Sequence, residues 1–534
     1  MGSSSSVARE VPSEQKITED AAASMGSLPM LRNSFSKLAD PQINSIPIQS
    51  LERRLGFEFD ELEFESGNDE DDHLSLSSLL KFVGPSIVEA FFVAENANIS
   101  WVEFVKGYLR CCQRMAASIT LNKLFRVYSM AARIAGISLN VDVAFAKEED
   151  DDLDEFNRSF KVSGSMELRD VLRFLFMCWT LNWSFVNPSS IEAKQSLLLP
   201  NLNHLVASAA SSCSNEDGDD FSDRKLSVKI PVEKFCNWVL TTLPCLAENF
   251  SHFVDARFRR DLINLGVVSS QRKVSSMADH YLLTVGRAWG ISLTLQDPIK
   301  SEILKIFITI EEKEADDHLL YRSSNNGRGL SRLWSNIEGY IGPLLILVSF
   351  SHENEKWIFG IRTEKGLENK DFFYGNFGTL YAIYPVFHVF SPTGKEKNFV
   401  YSHLKSSKKS YEPNPKPVGL AFGGSMGKER IFIDEDFARV VIRHHAVDKT
   451  YQSGSLFPSQ GYLTVEGAIL EVEVWGLGGE RSKNDQMSYK KREELFIEQR
   501  RKVDLKNFSS WEDSPEKMMM DMMSDPNKVS REER

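Results

Sequence analysis

The chain has 534 residues, too many for one hydrophobic core, so two or three domains are expected. Apolar residues make up 42% and aromatics 11%, and a net charge of −12 excludes a general nucleic-acid binder, which needs a concentrated basic face. No apolar run reaches the roughly 20 residues that span a bilayer, and no charged-then-apolar leader opens the chain, so a cytoplasmic protein is expected.

The first six residues, Met1 to Ser6, fit the N-myristoylation pattern, with glycine second and serine sixth. Loss of Met1 would expose the Gly2 amine for acylation; a serine-rich disordered start is the alternative. No cysteine follows Gly2, and Arg9 and Lys16 are the only basic residues before residue 30. One myristoyl chain binds membranes reversibly, at about 10⁴ M⁻¹, so the protein would visit endomembranes rather than stay on them. Residues 1–72 read as a disordered tail, polar and Ser/Ala/Pro-rich to about residue 44 and closing on Asp69 to Asp72. Acidic runs recur at Glu148 to Glu155, Glu216 to Asp223 and Glu311 to Asp317, and read as solvated loops between structured blocks.

Residues 73–289 show helical periodicity. Leu76, Leu79, Leu80 and Val83 open it; Leu168, Val171, Leu172, Leu175 and Trp179 give its most apolar stretch; Phe235, Trp238 and Val239 close it before Pro244. The six cysteines offer no CxxC pair, and three of them, Cys178, Cys236 and Cys245, fall within apolar helical patterns, as small core residues do. Two places resemble EF-hand loops. In Phe92 to Glu103, Ile99 takes the apolar eighth position, but Phe92, Ala94 and Asn96 hold ligand positions and Ala97 replaces the glycine. In Ser159 to Asp170, Gly164, Met166 and Asp170 fit, yet Lys161 stands at a ligand position. An all-helical, EF-hand-like domain without calcium is expected, and no cofactor.

From about residue 290 the pattern turns to strands. Leu344 to Phe350 reads as buried on both faces, followed by Trp357 to Ile361, Leu380 to Phe390, Val418 to Phe422 and Arg430 to Ile433. Ala468 to Gly476 alternates apolar and acidic residues, the period of a strand with one buried face, which puts Glu471 and Glu473 toward solvent. Glu473, beside Trp475, is the most suggestive catalytic candidate. His388, His403, His444, His445 and Asp448 complete the set, and no nucleotide, hydrolase or zinc fingerprint accompanies them. A non-enzyme is expected.

The ordered series LLYRSS, GPLLILV, WIFG, FFYG, VGLAFGG, RIFID and LEVEVWG resembles the TLDc family over 290–478, with Gly342, Gly360, Gly375, Gly419, Gly423, Gly424, Glu473, Trp475 and Gly476 as its motif residues. The resemblance implies a multidomain α+β chain: the helical domain, a TLDc β-sandwich, then a charged helix and tail over 479–534. Within that tail, Tyr489, Phe496 and Val503 recur every seven residues, with Arg492 and Arg500 beside them and a Met518–Met523 cluster beyond.

In layout the chain is similar to the myristoylated, mTOR-associated lysosomal branch of the family. That likeness implies an adaptor whose Tyr489, Arg492, Phe496, Arg500 and Val503 contact the vacuolar-type proton ATPase (V-ATPase), with links to oxidative-stress and TOR signalling. An antioxidant factor or enzyme acting through the TLDc domain is the alternative.

Overall fold

The structure is a computed structural model. It describes residues 13–57, 59–64, 70–145, 160–186, 195–213, 228–259, 281–308, 318–404, 416–444, 448–457 and 460–512. Gly2, His445, the Met518–Met523 cluster, the side chain of Val503 and the acidic runs 148–155, 216–223 and 311–317 lie outside these.

Residues 13–57 and 59–64 are folded, which corrects the expected disorder for those residues. Ser13 caps α1 (Glu14–Ser24), accepting the Lys16 N–H at 3.4 Å. α2 (Leu28–Leu38) buries Met30, Leu31, Ser34 and Phe35. Phe35 lies edge-on to Trp101, 5.2 Å between centroids. Composition misleads here because a few apolar residues on one helix face are enough to dock it.

The next elements are β1 (Ile46–Pro47), α3 (Ile48–Leu55), β2 (Phe59–Phe64), α4 (Glu70–Lys81), α5 (Val83–Phe91), β3 (Asn98–Ile99), α6 (Trp101–Cys112) and α7 (Ala117–Ile134). After them come β4 (Asn140–Phe145), β5 (Phe160–Glu167), α8 (Leu168–Val186), β6 (Gln195–Leu199), α9 (Asn203–Cys213), β7 (Lys229–Pro231), α10 (Val232–Thr242), α11 (Glu248–Arg259), α12 (Val285–Ser292) and α13 (Ile299–Ile308).

One arrangement occurs four times: a buried apolar residue on a short strand stands two positions before a helix, and buried residues follow on that helix at three- and seven-residue offsets from its start. The sets are Ile46, Leu51, Leu55; Ile99, Phe104, Tyr108; Met166, Val171, Leu175; and Ile230, Phe235, Val239. The units pair through their strands, Ile46 with Ile99 and Met166 with Ile230. The region is helical with short sheets added, β2 parallel to β6 and β5 between β4 and β7. Within the expected loop at 159–170, Phe160–Glu167 is strand β5, with Lys161 to Ser165 paired to Asn140 to Ala144, and Leu168 opens α8.

Within Leu74–Phe91 the chain is long and apolar enough to cross a membrane, contrary to the sequence expectation, but that window is half buried in the fold and turns at Phe82 between α4 and α5.

The β region holds β8 (Leu319–Arg322), α14 (Ser323–Asn326), α15 (Leu330–Ile337), β9 (Leu344–His352), β10 (Glu355–Thr363), β11 (Lys370–Tyr374), β12 (Gly378–Tyr384), β13 (His388–Phe390) and β14 (Val400–His403). β15 (Gly419–Ser425), β16 (Lys428–Asp434), β17 (Arg439–Ile442), β18 (Val465–Gly476) and α16 (Gly479–Glu512) complete it. The strands form one antiparallel sheet, ordered β11-β14-β15-β16-β17-β18-β9-β10-β12-β13, with β8 also on β18. Curled on itself, it makes the two layers of the expected sandwich. The aromatic run 380–390 is two strands rather than one, since Pro385, which has no N–H to donate, lies in the turn between β12 and β13.

Alternate residues of β9 serve two cores. Ile346, Val348 and Phe350 fill the sandwich interior, while Leu345 and Leu347 join the helical region's core. Tyr381, Ile383, Phe387, Trp475 and Leu477 join that core as well, so the outer face of β9, β10, β12 and β18 is a packed interface. The Phe387 N–H donates to the His204 carbonyl of α9 at 3.1 Å.

Candidate functional site

Three places gather several of the residues singled out by sequence, the end of β18, the turn between β15 and β16, and α16, and the others are dispersed over the sandwich.

On β18 a bulge lies between Ile469 and Glu471, opposite Phe350 and Ser349 of β9. Before it the strand alternates buried and exposed, as its sequence does; from Val472 on, both faces are buried. Glu473 is therefore not on a solvated face, and that expectation is corrected: its side chain is fully buried. It accepts the Leu282 N–H at 2.8 Å, the Leu283 N–H at 3.3 Å and the Trp475 indole N–H at 3.0 Å. The Arg322 Nε lies 3.7 Å away. Burial raises the Glu473 pKa above its ordinary value, further than the Leu282, Trp475, Arg322 and Leu283 contacts pull it down.

Arg322 also faces Glu471 at 3.6 Å and lies under the Tyr281 ring, 4.9 Å from its centroid; Tyr281 in turn meets Trp475 edge-on at 5.5 Å. Burial pushes Glu471 upward too, but the Ser323 and Ser324 hydrogen bonds and Arg322 outweigh it and hold the carboxyl below its ordinary value. Every oxygen of Glu473 is thus engaged in holding residues 281–283 against the sandwich. The two carboxylates have opposite environments although they are two residues apart on one strand.

At the β15–β16 turn, Gly423 and Gly424 have φ of +69° and +78°, in the region where a side chain is strained. A Cβ on Gly423 would come within 2.7 Å of Asp448 Oδ2. The space admits a buried pair: Arg430 lies 3.7 Å from Asp448 and donates to the carbonyls of Gln452 and Gly454, both at 3.0 Å. Gly419 and Gly375 also have positive φ, 152° and 99°. Gly360 lies under Ile383 and Leu347, and Gly476 lies against Tyr340. These motif residues shape the sandwich and do not converge on one point.

The histidines are dispersed. His388 packs on Phe390, and His444 hydrogen-bonds Ser455 at 2.9 Å. Burial lowers the His388 pKa, with a contribution from Arg430. Among the described residues no three His, Cys, Asp or Glu side chains gather as a metal set.

α16 leaves the sandwich directly after β18. Its start is seated by close backbone approach: Gly342 and Gly478 both lie against Ser482, and the Gly478 N–H donates to the Tyr340 hydroxyl at 2.7 Å. The Gln486 amide donates to the Asn336 carbonyl at 2.8 Å, and the Lys490 ammonium to the same carbonyl at 3.0 Å. Together they satisfy the C-terminal end of α15. Tyr489 lies over Gly339, which has φ +81°, and donates to Glu338 at 3.1 Å.

From residue 491 to 502 the helix is exposed. Leu495, Phe496 and Ile497 are 51%, 57% and 47% accessible; Arg492 donates to the Ser488 carbonyl, and Arg500 lies over Phe496. The heptad seam is therefore divided, with Tyr489 bound to its own domain and Phe496 open.

Sequence reasoning missed Arg322, Gly339 and the Leu282–Leu283 amides. Arg322 lies inside the quoted LLYRSS motif and could have been paired with Glu473; nothing in the sequence marks the two amides. The family comparison identifies a TLDc domain over residues 293–478. The chain has no significant match among curated proteins.

Proposed function

Since residues 293–478 are a TLDc domain, a domain associated with oxidative-stress resistance and regulation rather than catalysis, we propose that the chain is a non-catalytic adaptor that binds the V-ATPase at an endomembrane. The observation that carries this reading is α16. Its first turns are fixed to α15 and the sandwich, while its middle presents Leu495, Phe496 and Ile497 between basic clusters. Exposed apolar side chains on a helix held at one end suit contact with an apolar surface of a partner. The engagement of Glu473 with three N–H donors favours binding over catalysis for this domain.

The same reading includes reversible membrane visits through a myristoyl group on Gly2 and a link, through the organelle, to TOR signalling. Affinity purification of the full chain, beside a chain truncated after Gly479, tests the central claim. V-ATPase catalytic-head subunits are expected with the full chain and not with the truncated one. Equal capture by both, or by neither, rejects it. Gly2→Ala is expected to move the protein from the membrane to the soluble fraction, and an unchanged distribution rejects the lipid anchor.

A further inference from the structure

Arg362 lies on β10 between Leu345 of β9 and Thr379 of β12, on the sheet's outer face. It is 7% exposed, and its Nε is buried without an oxygen partner. Two other arginines of the sandwich are matched by acids, Arg322 by Glu471 and Glu473 and Arg430 by Asp448. Arg362 has no carboxylate at ion-pair distance among the described residues. Its Nη2 donates to Thr379 Oγ1 at 3.4 Å.

The surrounding hydroxyls are neutral and already ordered. Thr294 donates to the Ile291 carbonyl at 2.7 Å, so the 3.0 Å contact between Thr294 and Tyr381 is Tyr381 donating. The Tyr381 oxygen is left as an acceptor facing the guanidinium. None of this cancels the charge, and a buried cation without a counter-charge is unfavourable. Phe377, 39% exposed, lies over the guanidinium at 4.7 Å from its ring centroid.

We propose that Arg362, with Thr379 beside it and Phe377 as a movable cover, binds a phosphoryl-type oxyanion. A planar guanidinium fork matches two oxygens of such a group, and a third oxygen can take the Thr379 hydroxyl. A phosphoryl group also brings more charge than a single carboxylate. The occupant is free phosphate or a small soluble phosphate ester, entering at the seam between the sandwich and residues 291–294.

Thermal unfolding of the full chain tests this, with inorganic phosphate, O-phosphoserine or acetate replacing chloride at fixed ionic strength. Saturating phosphate or phosphoserine is expected to raise Tm by about 2–4 °C. A response to phosphoserine alone assigns the ester, and a response to both assigns the free anion as sufficient. Arg362→Gln is expected to abolish the rise, Phe377→Ala to keep it. No rise in the wild-type chain with either phosphoryl compound overturns the proposal, as does an equal rise in Arg362→Gln or a rise with acetate that matches phosphate. Should Arg362→Gln not fold, Arg362→Lys keeps the charge without the fork; binding at wild-type affinity by that variant overturns the assignment.

Discussion

At the scale of single residues, Glu473 shows how one carboxylate serves a fold. Its oxygens receive two backbone N–H groups and an indole N–H in a dry site. Glu473→Ala would leave those donors buried and unpaired, at about 1–3 kcal/mol each. A loss of roughly 3 kcal/mol or more is expected from urea unfolding. Glu473→Gln keeps an acceptor and removes the charge, so its behaviour separates geometry from ionisation. Because the native pKa lies above the ordinary value of 4.5, the folded state holds this proton longer than the unfolded state. The stabilising contribution is complete below pH 4.5 and declines as pH rises through the native pKa. The urea midpoint of Glu473→Gln should therefore gain on that of the wild type between pH 4.5 and neutrality. A constant difference across that window contradicts the assignment. Glu471 has the opposite sign, contributing above 4.5 and losing that contribution as pH falls.

At the scale of elements, α16 is about 50 Å long, from 34 residues at 1.5 Å each, yet its described contacts with the rest of the fold lie in the first three turns. Gly339 allows them: a Cβ there would come within 2.5 Å of the Tyr489 ring, on a backbone of positive φ. Gly339→Ala should therefore detach the first turns. Hydrogen exchange of the amides of residues 482–490 is expected to rise by at least tenfold, whereas Phe496→Asp should leave it unchanged. A second test concerns Ala97, exposed with φ +61° in the turn before β3. Ala97→Gly should stabilise the fold by about 1 kcal/mol, since a left-handed backbone costs alanine about 1–2 kcal/mol and glycine little. An equal or lower urea midpoint would count against it.

These elements also show where sequence stops informing. The alternation in 468–476 gives the strand, and the heptad in 489–503 gives the helix, because both are local periodicities. Neither reports the layer opposite: a bulge at Leu470 and a second core behind β18 bury Glu473, while a single glycine captures Tyr489. The motif glycines were legible as a set, but the buried Arg430–Asp448 pair they accommodate joins residues from separate parts of the chain.

For the molecule as a whole, the decisive feature is that the sandwich has two cores and lends one to the helical region. Leu345, Leu347, Ile383 and Phe387 are buried against helical residues, and the His204 carbonyl and Leu282–Leu283 amides add polar contacts across the same face. This arrangement makes the stability of each part depend on the other. Phe387→Ala, on the sandwich side, should cost about 3–5 kcal/mol, as deletion of a buried aromatic ring does. If the regions unfold as one unit, exchange protection of α9 and α12 should fall by the same free energy as that of β12. Regions that behave independently would confine the loss to β12 and β13. Such confinement would show that the shared core packs without coupling, and α16, which follows Trp475 and Leu477 directly, would then be insulated from the helical region. Coupled loss would mean that whatever loosens the helical region also alters the base from which the exposed helix projects.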